Sequence, residues 1–446
     1  MTEAIPVAQR CTLVLPSSGA FDSRAWRIAS SLARRGHSVT VLARLEPDLP
    51  ADEVHPDGYR IVRVPVAAVD GLPGPLRAPV RWLRGGRRSP AGADAVPRAA
   101  DGSASPSRRG LAGQIRAGGA ALVRLAAIAL TVRSQRLASR PVAPPADLVH
   151  AMAYMGIPVG LDLGRRDGAP VVYDARDIYV DAANLARLPG PARRLFGRVE
   201  RRWARRASRV VTVNELYAAV MAERFGVPEP LIVMNCSPAP TGDPARGRRF
   251  HDRLDLPPPT RIVLYQGGFS RQRGIEQLID ALPALDVDVA LVLLGYGALK
   301  GELEAAAARP ELAGRLFVLP AVPPTELVAW VGSAQVVAMP IQPSTLNHRL
   351  TTPNKLFEAM SAGVPVVASD LPGMAGIVRG TGCGVLCDPT NPASIAAAIR
   401  SILDAPDADR AAYCERALTA VRDRYNWGAQ MAILLAEYGR LTGRPW

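Results

Sequence analysis

The sequence predicts an α/β protein made of two Rossmann-like domains, each a doubly wound parallel sheet, that face a common cleft. Short apolar runs rich in Val, Ile and Leu alternate with amphipathic helical stretches along most of the 446 residues, which is typical of βαβ units. The alternation stops at residues 241–260, which are rich in Pro, Gly and charge and are predicted to be a linker. Because such sheets bind ligands at the carboxyl ends of their strands, we expect the functional site between the two halves.

The first domain, predicted over residues 1–240, begins with one βαβ unit. An apolar run at residues 11–16 leads into the turn Ser-Ser-Gly-Ala that contains Gly19, then a helical pattern ends at Gly36. Further strands are predicted at residues 38–43, 148–151, 171–174, 210–213 and 231–235.

The second domain is predicted over residues 261–424 and repeats this pattern. Apolar runs typical of buried strands occur at residues 262–266, 287–294, 316–319, 336–339 and 365–369. Residues 411–441 have a helical pattern without a further strand. Two halves of this kind would leave a cleft suited to a small ligand.

The positive charge of the protein is concentrated in one segment. The chain has 54 Lys and Arg against 40 Asp and Glu, a net charge of +14, but residues 71–140 alone hold thirteen arginines and two acidic residues. The rest of the chain is therefore close to neutral, and we expect no nucleic-acid partner. The 48% of hydrophobic and 21% of charged residues are those of a folded globular protein.

Two parts of this basic segment differ in composition. Residues 84–109 repeat Gly, Ser, Pro and Ala, which predicts a disordered or mobile loop. Residues 111–137 have helix-forming composition. Two interpretations of that helix stay open: it packs on the first sheet with a solvated outer face, or it docks onto an anionic membrane surface or an acidic acceptor.

The cysteine pattern and the apolar stretches indicate the compartment. Five scattered cysteines without a C-x-x-C pair indicate reduced thiols. Residues 1–10 lack the apolar core of a secretory signal, and the longest apolar stretch, residues 117–132, is interrupted by Arg124. We expect a cytoplasmic protein without a transmembrane helix, either free or peripheral on the inner face of the plasma membrane.

The most informative segment is residues 353–369, Pro-Asn-Lys-Leu-Phe-Glu-Ala-Met-Ser-Ala-Gly-Val-Pro-Val-Val-Ala-Ser. Pro353 suits the first position of a helix, whose open amides around Asn354 would point into the cleft and attract phosphate. Lys355, one of two lysines in the chain, adds a compact positive charge that favours a diphosphate contact. The alternative is an ion pair within the helix between Lys355 and Glu358.

Two glycine-containing turns follow predicted strands of the second domain. In residues 265–274, Gly267 and Gly268 would allow a ligand to approach the backbone closely, and Arg273 would reach its phosphates. Gly295 begins a similar turn. Neither turn is a G-x-G-x-x-G fingerprint and no P-loop sequence occurs, which disfavours dinucleotide dehydrogenases and P-loop NTPases.

In this combination the chain resembles the family 4 glycosyltransferases, in the subgroup with a Pro-Asn-Lys-Leu-Phe-Glu motif. The resemblance is carried by residues 24–41, 171–177, 264–274 and 353–369. It covers nearly the whole chain except about residues 73–144, and it implies the GT-B architecture of two Rossmann-like domains. Residues 73–144 would then be a basic insertion in the first domain, and residues 425–446 would form a helix that crosses back onto that domain.

The resemblance also implies roles for single residues. Glu358 matches the glutamate that binds the ribose hydroxyls of a nucleotide donor. Arg273 matches a lysine that contacts the diphosphate, and Gly268 stands in place of its usual arginine partner. Gly19 matches the loop under the diphosphate, and Asn347 lies in the loop that faces the donor sugar. The predicted donor site further includes Gly295, Asn354 and Lys355.

Three departures from the family's pattern concern catalysis. Leu350 stands where the family has the first glutamate of its E-x7-E pair. Met152 replaces the second of two histidines, which leaves His150, and the Asp-x-His-Glu sequence appears as Asp-Ala-Arg-Asp, ending at Asp177. We predict that His150 and Asp177 position the acceptor. Lys355 would take over the charge compensation that is lost with the first glutamate.

The expected function is transfer of a sugar from a nucleoside-diphosphate sugar to an acceptor hydroxyl, with retention, in cell-envelope, exopolysaccharide or glycolipid assembly. The acceptor would be a lipid-linked sugar, a glycan or a small molecule. No cofactor or metal is expected, because basic groups and helix amides would stabilise the leaving diphosphate. Two alternatives remain: a catalytically silent homologue that acts as a binding or activating partner, and a sugar-nucleotide epimerase.

Overall fold

The protein consists of two α/β domains, each built on a parallel sheet. The computed structural model describes residues 8–20, 22–66, 111–182, 185–242 and 247–446. Within these residues one sheet has eight strands and the other has six. The predicted fold class is confirmed.

The first sheet comprises β1 (Arg10–Val14), β2 (Ser38–Arg44), β3 (Asp52–Val54), β4 (Arg60–Val64), β5 (Leu148–Met152), β6 (Val171–Asp174), β7 (Arg209–Thr212) and β8 (Leu231–Ile232). Their order is β3-β4-β2-β1-β5-β6-β7-β8, and neighbours are parallel except for the antiparallel pair of β3 and β4. The sequence did not predict β3 or β4, because charged side chains interrupt their apolar pattern. In β4 the interrupting Arg63 is buried and donates to the carbonyls of Ser18 and Pro50.

The helices of the first domain cover both faces of this sheet. They are α1 (Ser23–Ala33), α2 (Leu111–Ser139), α3 (Ala153–Asp167), α4 (Gly190–Ala204) and α5 (Glu215–Phe225), with a 3₁₀ turn at Tyr179–Asp181. Helix α1 begins after Asp22, whose side chain accepts from the backbone N–H of Ala25. Helix α2 packs Ala121, Leu125 and Ile128 against the first-domain core. The loop predicted at residues 84–109 lies outside the described residues.

The second sheet comprises β9 (Arg261–Gly268), β10 (Val289–Tyr296), β11 (Leu316–Pro320), β12 (Val336–Met339), β13 (Val366–Ser369) and β14 (Gly384–Cys387). Its order is β11-β10-β9-β12-β13-β14, and all neighbours are parallel. The sequence did not predict β14, a four-residue edge strand that is only half-buried over three of its residues.

The remaining helices are α6 (Arg249–Leu254), α7 (Ile275–Ala281), α8 (Lys300–Ala307), α9 (Leu327–Val331), α10 (Leu346–Leu350), α11 (Asn354–Ser361), α12 (Pro372–Thr381), α13 (Pro392–Leu403), α14 (Asp407–Asp423) and α15 (Trp427–Thr442), with a 3₁₀ turn at Leu282–Ala284. Helix α6 falls within the predicted linker. Its Phe250 is fully buried in the core of the second domain, so this part of the linker is packed structure.

The strand orders place a ligand cleft between the domains. In each sheet the order reverses next to the first strand, between β1 and β5 and between β9 and β12. Parallel sheets of this kind bind ligands just beyond the carboxyl ends of the strands at such a reversal. The turn that holds Gly19 follows β1, and the turn that holds Gly268 follows β9.

The last helix, α15, packs on the first domain although it follows the second in sequence. Its Trp427, Met431, Leu434 and Tyr438 are buried with residues of β1, β2 and α1. The indole N–H of Trp427 donates to the hydroxyl of Ser31 at 2.8 Å. Across the described ranges, no helix has the length and apolar character needed to cross a bilayer.

Candidate active site

A cavity of about 530 Å³ lies between the two domains. The first domain contributes Trp26 and Arg27 from α1, and the second contributes Gly267, Gly295 and Glu358. Apolar residues of the segment after β11 and of α9 form another part of its wall: Val322, Leu327 and Val328. The cavity therefore combines an apolar side with charged groups on opposing domains.

Glu358 is buried in the wall of this cavity, one turn into α11. Burial raises the pKa of its carboxyl, while the positive charges of Arg27 and Lys355 act in the opposite direction. Arg27 belongs to the first domain and donates through Nη1 to the side chain of Asn235 at 2.8 Å. A carboxylate held between cations in a cavity is suited to accept hydrogen bonds from ligand hydroxyls.

Lys355 is a buried cation whose ammonium has no hydrogen-bond partner among the described residues. Its Nζ lies 3.6 Å from the ring centroid of Tyr265, a cation–π contact. Burial first, and then the charge of Arg273, lower the pKa of Lys355 well below its usual value. No ion pair with Glu358 forms within the described residues, so the alternative of a pair within the helix is not what the structure contains.

The first turn of α11 is open. Pro353 precedes the helix and supplies no side-chain cap, and Asn354 is its first residue, one residue later than predicted. Asn354 is exposed and borders the cleft. The free amides at this turn and the ammonium of Lys355 together form a site suited to an anion.

Three glycines of the second domain differ in whether the local structure requires a glycine at that position. Gly267 has φ +118°, and a Cβ there would lie 3.7 Å from Nζ of Lys355. At Gly295 a Cβ would meet the carbonyl of Gly267 at 1.9 Å, so close strand packing excludes a side chain. A Cβ at Gly268 would meet nothing within 4 Å. Glycine is thus favoured at Gly267 by its positive φ and required at Gly295 by close packing, and neither reason applies at Gly268.

A second cavity, of about 410 Å³, lies beside the first and is bordered by Gly19, Arg176 and Asn354. Gly19 has φ +82°, a conformation that glycine adopts easily. Arg176 follows β6 and donates through Nη1 to both carboxylate oxygens of Asp22, at 2.7 and 2.9 Å. This cavity joins the turn after β1 to the start of α11.

The structure assigns Asn347 a role between the domains rather than the predicted place facing a donor sugar. Its side chain is buried and hydrogen-bonded to three residues of the first domain. Oδ1 accepts from the N–H of Ile178 and from the hydroxyl of Tyr217, both at 2.7 Å, and Nδ2 donates to Asp177 at 2.9 Å. The oxygen of this amide and one of its two N–H groups are therefore committed to the first domain.

Asp177 is half-buried where these two domains meet. Burial raises the pKa of its carboxyl, while the hydrogen bond from Asn347 and the charges of Arg176 and Arg273 act in the opposite direction. Arg273 forms no hydrogen bond or ion pair within the described ranges, and its charge acts on both Asp177 and Lys355. The predicted Arg273, Asp177 and Lys355 thus lie in one electrostatic neighbourhood.

His150 is not in the cleft, and its predicted acceptor-positioning role is corrected. Its side chain is fully buried within β5. The ring nitrogens contact Asp174 at 3.0 Å and the hydroxyl of Tyr438 at 2.7 Å, and Asp174 also pairs with the buried Arg24 at 2.6 Å. With both nitrogens occupied, His150 links the first sheet to α15 and cannot reach a substrate.

The two substitutions at family positions are apolar core residues. Leu350 packs against the hydrophobic core of the first domain, and its carbonyl accepts from Asn214 at 2.9 Å. Met152 is fully buried. Sequence analysis missed Arg27, Arg176 and Tyr265, because what brings them to the site is packing across the sheet and between domains rather than a local pattern.

Two Rossmann-like domains that enclose a cleft, with the start of α11 on its wall and the buried Lys355 next to Gly267, have the architecture of a GT-B glycosyltransferase. Residues 19–236 match the family described as "Glycosyl transferase 4-like domain", and residues 260–405 match "Glycosyl transferases group 1". The chain belongs to the family 4 glycosyltransferases.

Individual relatives agree with this assignment. The chain is 28% identical to a D-inositol 3-phosphate glycosyltransferase of Xylanimonas cellulosilytica, over 67% of this chain and 73% of that protein. The sucrose-phosphate synthase of Thermosynechococcus elongatus has a similar fold, with a TM-score of 0.69, 19% identity and coverage of 98% and 99%. Anabaena HepE in complex with UDP and glucose gives a TM-score of 0.63 at 16% identity, with coverage of 97% and 100%.

Proposed function

We propose that the protein transfers a sugar, with retention of configuration, from a nucleoside-diphosphate sugar to an acceptor hydroxyl. The observation that carries this proposal is the buried ammonium of Lys355, which has no hydrogen-bond partner among the described residues and lies in the open first turn of α11, next to Gly267 in the cavity wall. A buried charge without a partner is costly. An anionic ligand would remove that cost.

The donor's nucleoside is proposed to occupy the larger cavity. The carboxylate of Glu358 would accept hydrogen bonds from the ribose hydroxyls, and the apolar wall formed by Val322, Leu327 and Val328 would contact the base. The bound UDP in the HepE structure supports this choice of ligand by analogy of fold.

The diphosphate is proposed to lie at Lys355, Arg273 and the free amides of α11. When the glycosidic bond to the diphosphate breaks, negative charge grows on the leaving oxygen and positive charge on the anomeric carbon. Donors already fixed around the diphosphate stabilise that charge without reorganisation. These cations would make a metal ion unnecessary, so the proposal includes no metal cofactor.

The acceptor is proposed to enter beside the turn of Gly19, in the smaller cavity bordered by the first domain. A place in cell-envelope or glycolipid assembly would require contact with a membrane surface. The exposed arginines of α2 and the neighbouring α4 favour an anionic one. They are Arg124, Arg133 and Arg136 on α2, and Arg194, Arg198, Arg201 and Arg202 on α4.

The test is a panel of UDP-, GDP-, ADP- and TDP-sugars, with thermal stabilisation and release of the nucleoside diphosphate as readouts. We expect one donor to stabilise the protein and to be hydrolysed slowly. Glu358→Ala should abolish the stabilisation, whereas Glu304→Ala, which changes an exposed glutamate on α8, should leave it unchanged.

Other outcomes would contradict the proposal. Stabilisation without turnover even when acceptors are supplied would favour the catalytically silent partner, and conversion of the donor into its epimer would favour the epimerase. The absence of binding by every donor would reject a nucleotide-sugar site.

A further inference from the structure

Arg176 is a cation in the cleft that the proposed binding of the diphosphate does not use. It follows β6 on the first domain, and its side chain is 24% exposed. It borders the smaller cavity together with Asn354, the first residue of α11. A ligand that reaches from the diphosphate site toward the acceptor domain would therefore pass this guanidinium.

Among the described residues, only one side-chain nitrogen of Arg176 donates a hydrogen bond. Nη1 donates to both oxygens of Asp22, and Asp22 is itself fixed because its Oδ1 accepts from the N–H of Ala25 at the start of α1. Among the described residues, Nε and Nη2 have no hydrogen-bond partner. Asp22 therefore holds the guanidinium in place and leaves free its Nε–Nη2 edge, the pair of parallel N–H donors that fits a carboxylate or phosphate.

The other charges around this cavity are compatible with an anion there. Asp22 is committed to Arg176 and to the helix start. Glu46 also borders the cavity but is exposed, so solvent and salt screen its charge. The side chain of Asn354 is exposed and uncharged, and could donate to the same group.

We propose that Arg176 recognises a second anionic group, a carboxylate or a phosphate, on the transferred sugar or on the acceptor. This inference rests on the proposed function and narrows its substrates. Either the transferred sugar or the acceptor would carry an anionic group, in addition to the diphosphate of the donor. The relative named for D-inositol 3-phosphate is consistent with the acceptor as the source, and a uronate donor is the other source of the same chemistry.

The experiment compares matched pairs of ligands that differ in one anionic group. For the donor, UDP-glucuronate is compared with UDP-glucose, or GDP-mannuronate with GDP-mannose if the guanosine nucleotide is the one that binds. For the acceptor, D-inositol 3-phosphate is compared with myo-inositol in the presence of the bound nucleoside diphosphate. Affinities are measured by titration calorimetry for the wild type, Arg176→Gln, Arg176→Lys and a control, Arg198→Gln on the exposed face of α4.

We expect the wild type to bind the acidic member of one pair at least tenfold more tightly, in line with a charge-assisted double hydrogen bond. Arg176→Gln should lose this preference, Arg176→Lys should keep part of it, and Arg198→Gln should keep all of it. The affinity for the nucleoside diphosphate alone should be the same in all four proteins. The pair that shows the preference identifies the source of the charge.

Equal affinity of the wild type within both pairs would overturn the role of Arg176, even if nucleotides bind well, and so would an unchanged preference in Arg176→Gln. Failure of every nucleotide to bind would overturn the proposed function itself. The two failures are therefore distinguishable, and the comparison within the wild type does not depend on the folding of any variant.

Discussion

Lys355 and Glu358 lie three residues apart on α11, and burial shifts the pKa of each toward its neutral form. Neither residue satisfies the other by an ion pair. Lys355 has no hydrogen-bond partner among the described residues, whereas Gln266 hydrogen-bonds Glu358. A buried cation without a partner is more often found at a binding site than in a core, where buried charges are partnered. Both residues were predicted from the sequence, because the motif at the start of α11 is local.

Because the pKa of Lys355 is lowered, we expect the binding of a nucleoside diphosphate to depend on pH. In the free protein, burial and Arg273 favour the neutral amine as the pH rises through the lowered pKa. A bound diphosphate would favour the ammonium, so binding at about pH 9 should take up protons. Calorimetry in two buffers of different ionisation enthalpy measures this uptake.

Lys300→Ala is the matched control, because Lys300 is the other lysine of the chain and its side chain is 54% exposed. Uptake should persist in this variant and disappear in Lys355→Ala. Binding of the nucleoside diphosphate without proton uptake at any pH between about 7 and 10 would show that Lys355 does not meet the diphosphate.

Arg27, Arg176 and Tyr265 show where prediction from the sequence ends at this scale. Arg27 on α1 and Arg176 after β6 border the cleft, and Tyr265 on β9 contacts Lys355 from the core. No spacing within the sequence connects them. His150 shows the opposite error: a histidine at the end of a predicted strand suggested chemistry, and packing by α15 has placed it in a closed network.

Among the elements, α15 is fixed to the first domain by a buried polar network as well as by apolar packing. The hydroxyl of Tyr438 is the partner of His150, and His150 in turn contacts Asp174. Networks of this kind stabilise only while every member is satisfied.

Tyr438→Phe should lower the free energy of unfolding by about 1–3 kcal/mol, because it leaves a buried ring nitrogen of His150 without a partner. Turnover of the folded enzyme should not change, since the network does not reach the cleft. Denaturant unfolding and kcat measure the two effects, with Tyr413→Phe on α14 as the control. A large fall in kcat of Tyr438→Phe, with no change in the free energy of unfolding, would indicate that His150 takes part in the reaction.

Helices α2 and α4 contact each other in the first domain, and both carry exposed arginines. Arg194, Arg198 and Arg201 border a cavity of about 510 Å³ and form no ion pair with any described residue. If the surface docks on a membrane, replacing these three arginines by Gln should weaken binding to vesicles that contain phosphatidylserine. At about 1 kcal/mol for each arginine near the surface, the expected loss is roughly 100-fold.

A matched control replaces three exposed arginines of the second domain, Arg253, Arg309 and Arg379, by Gln. This variant should cofloat with the vesicles as the wild type does. Equal weakening in both variants would indicate an effect of net charge alone, and no binding of the wild type would reject the membrane surface as a partner.

At the scale of the whole molecule, the two domains interlock directly before α11. Asn347 and the carbonyl of Leu350 accept hydrogen bonds from the first domain, and Leu350 packs into its core. The start of α11 is therefore positioned by both domains. This explains why an apolar Leu350 is compatible with the site: its position is used for contact between domains.

The fold was predictable from the sequence because long strands such as β9 and β10 carry uninterrupted apolar runs. Strands β3 and β14 were not, because a three-residue polar strand and a half-buried edge strand have no distinctive pattern. Helix α6 was missed inside a Pro- and Gly-rich stretch, and only its packing against the second core through Phe250 defines it.

The most direct test of the central claim compares Lys355→Ala with Lys300→Ala on the donor that stabilises the wild type. Turnover, measured as release of the nucleoside diphosphate, should fall more than tenfold in Lys355→Ala, because charge on the leaving group loses its buried cation. It should stay within about twofold of the wild type in Lys300→Ala. Wild-type turnover in Lys355→Ala would contradict the assignment of the cleft at α11 as the site of reaction.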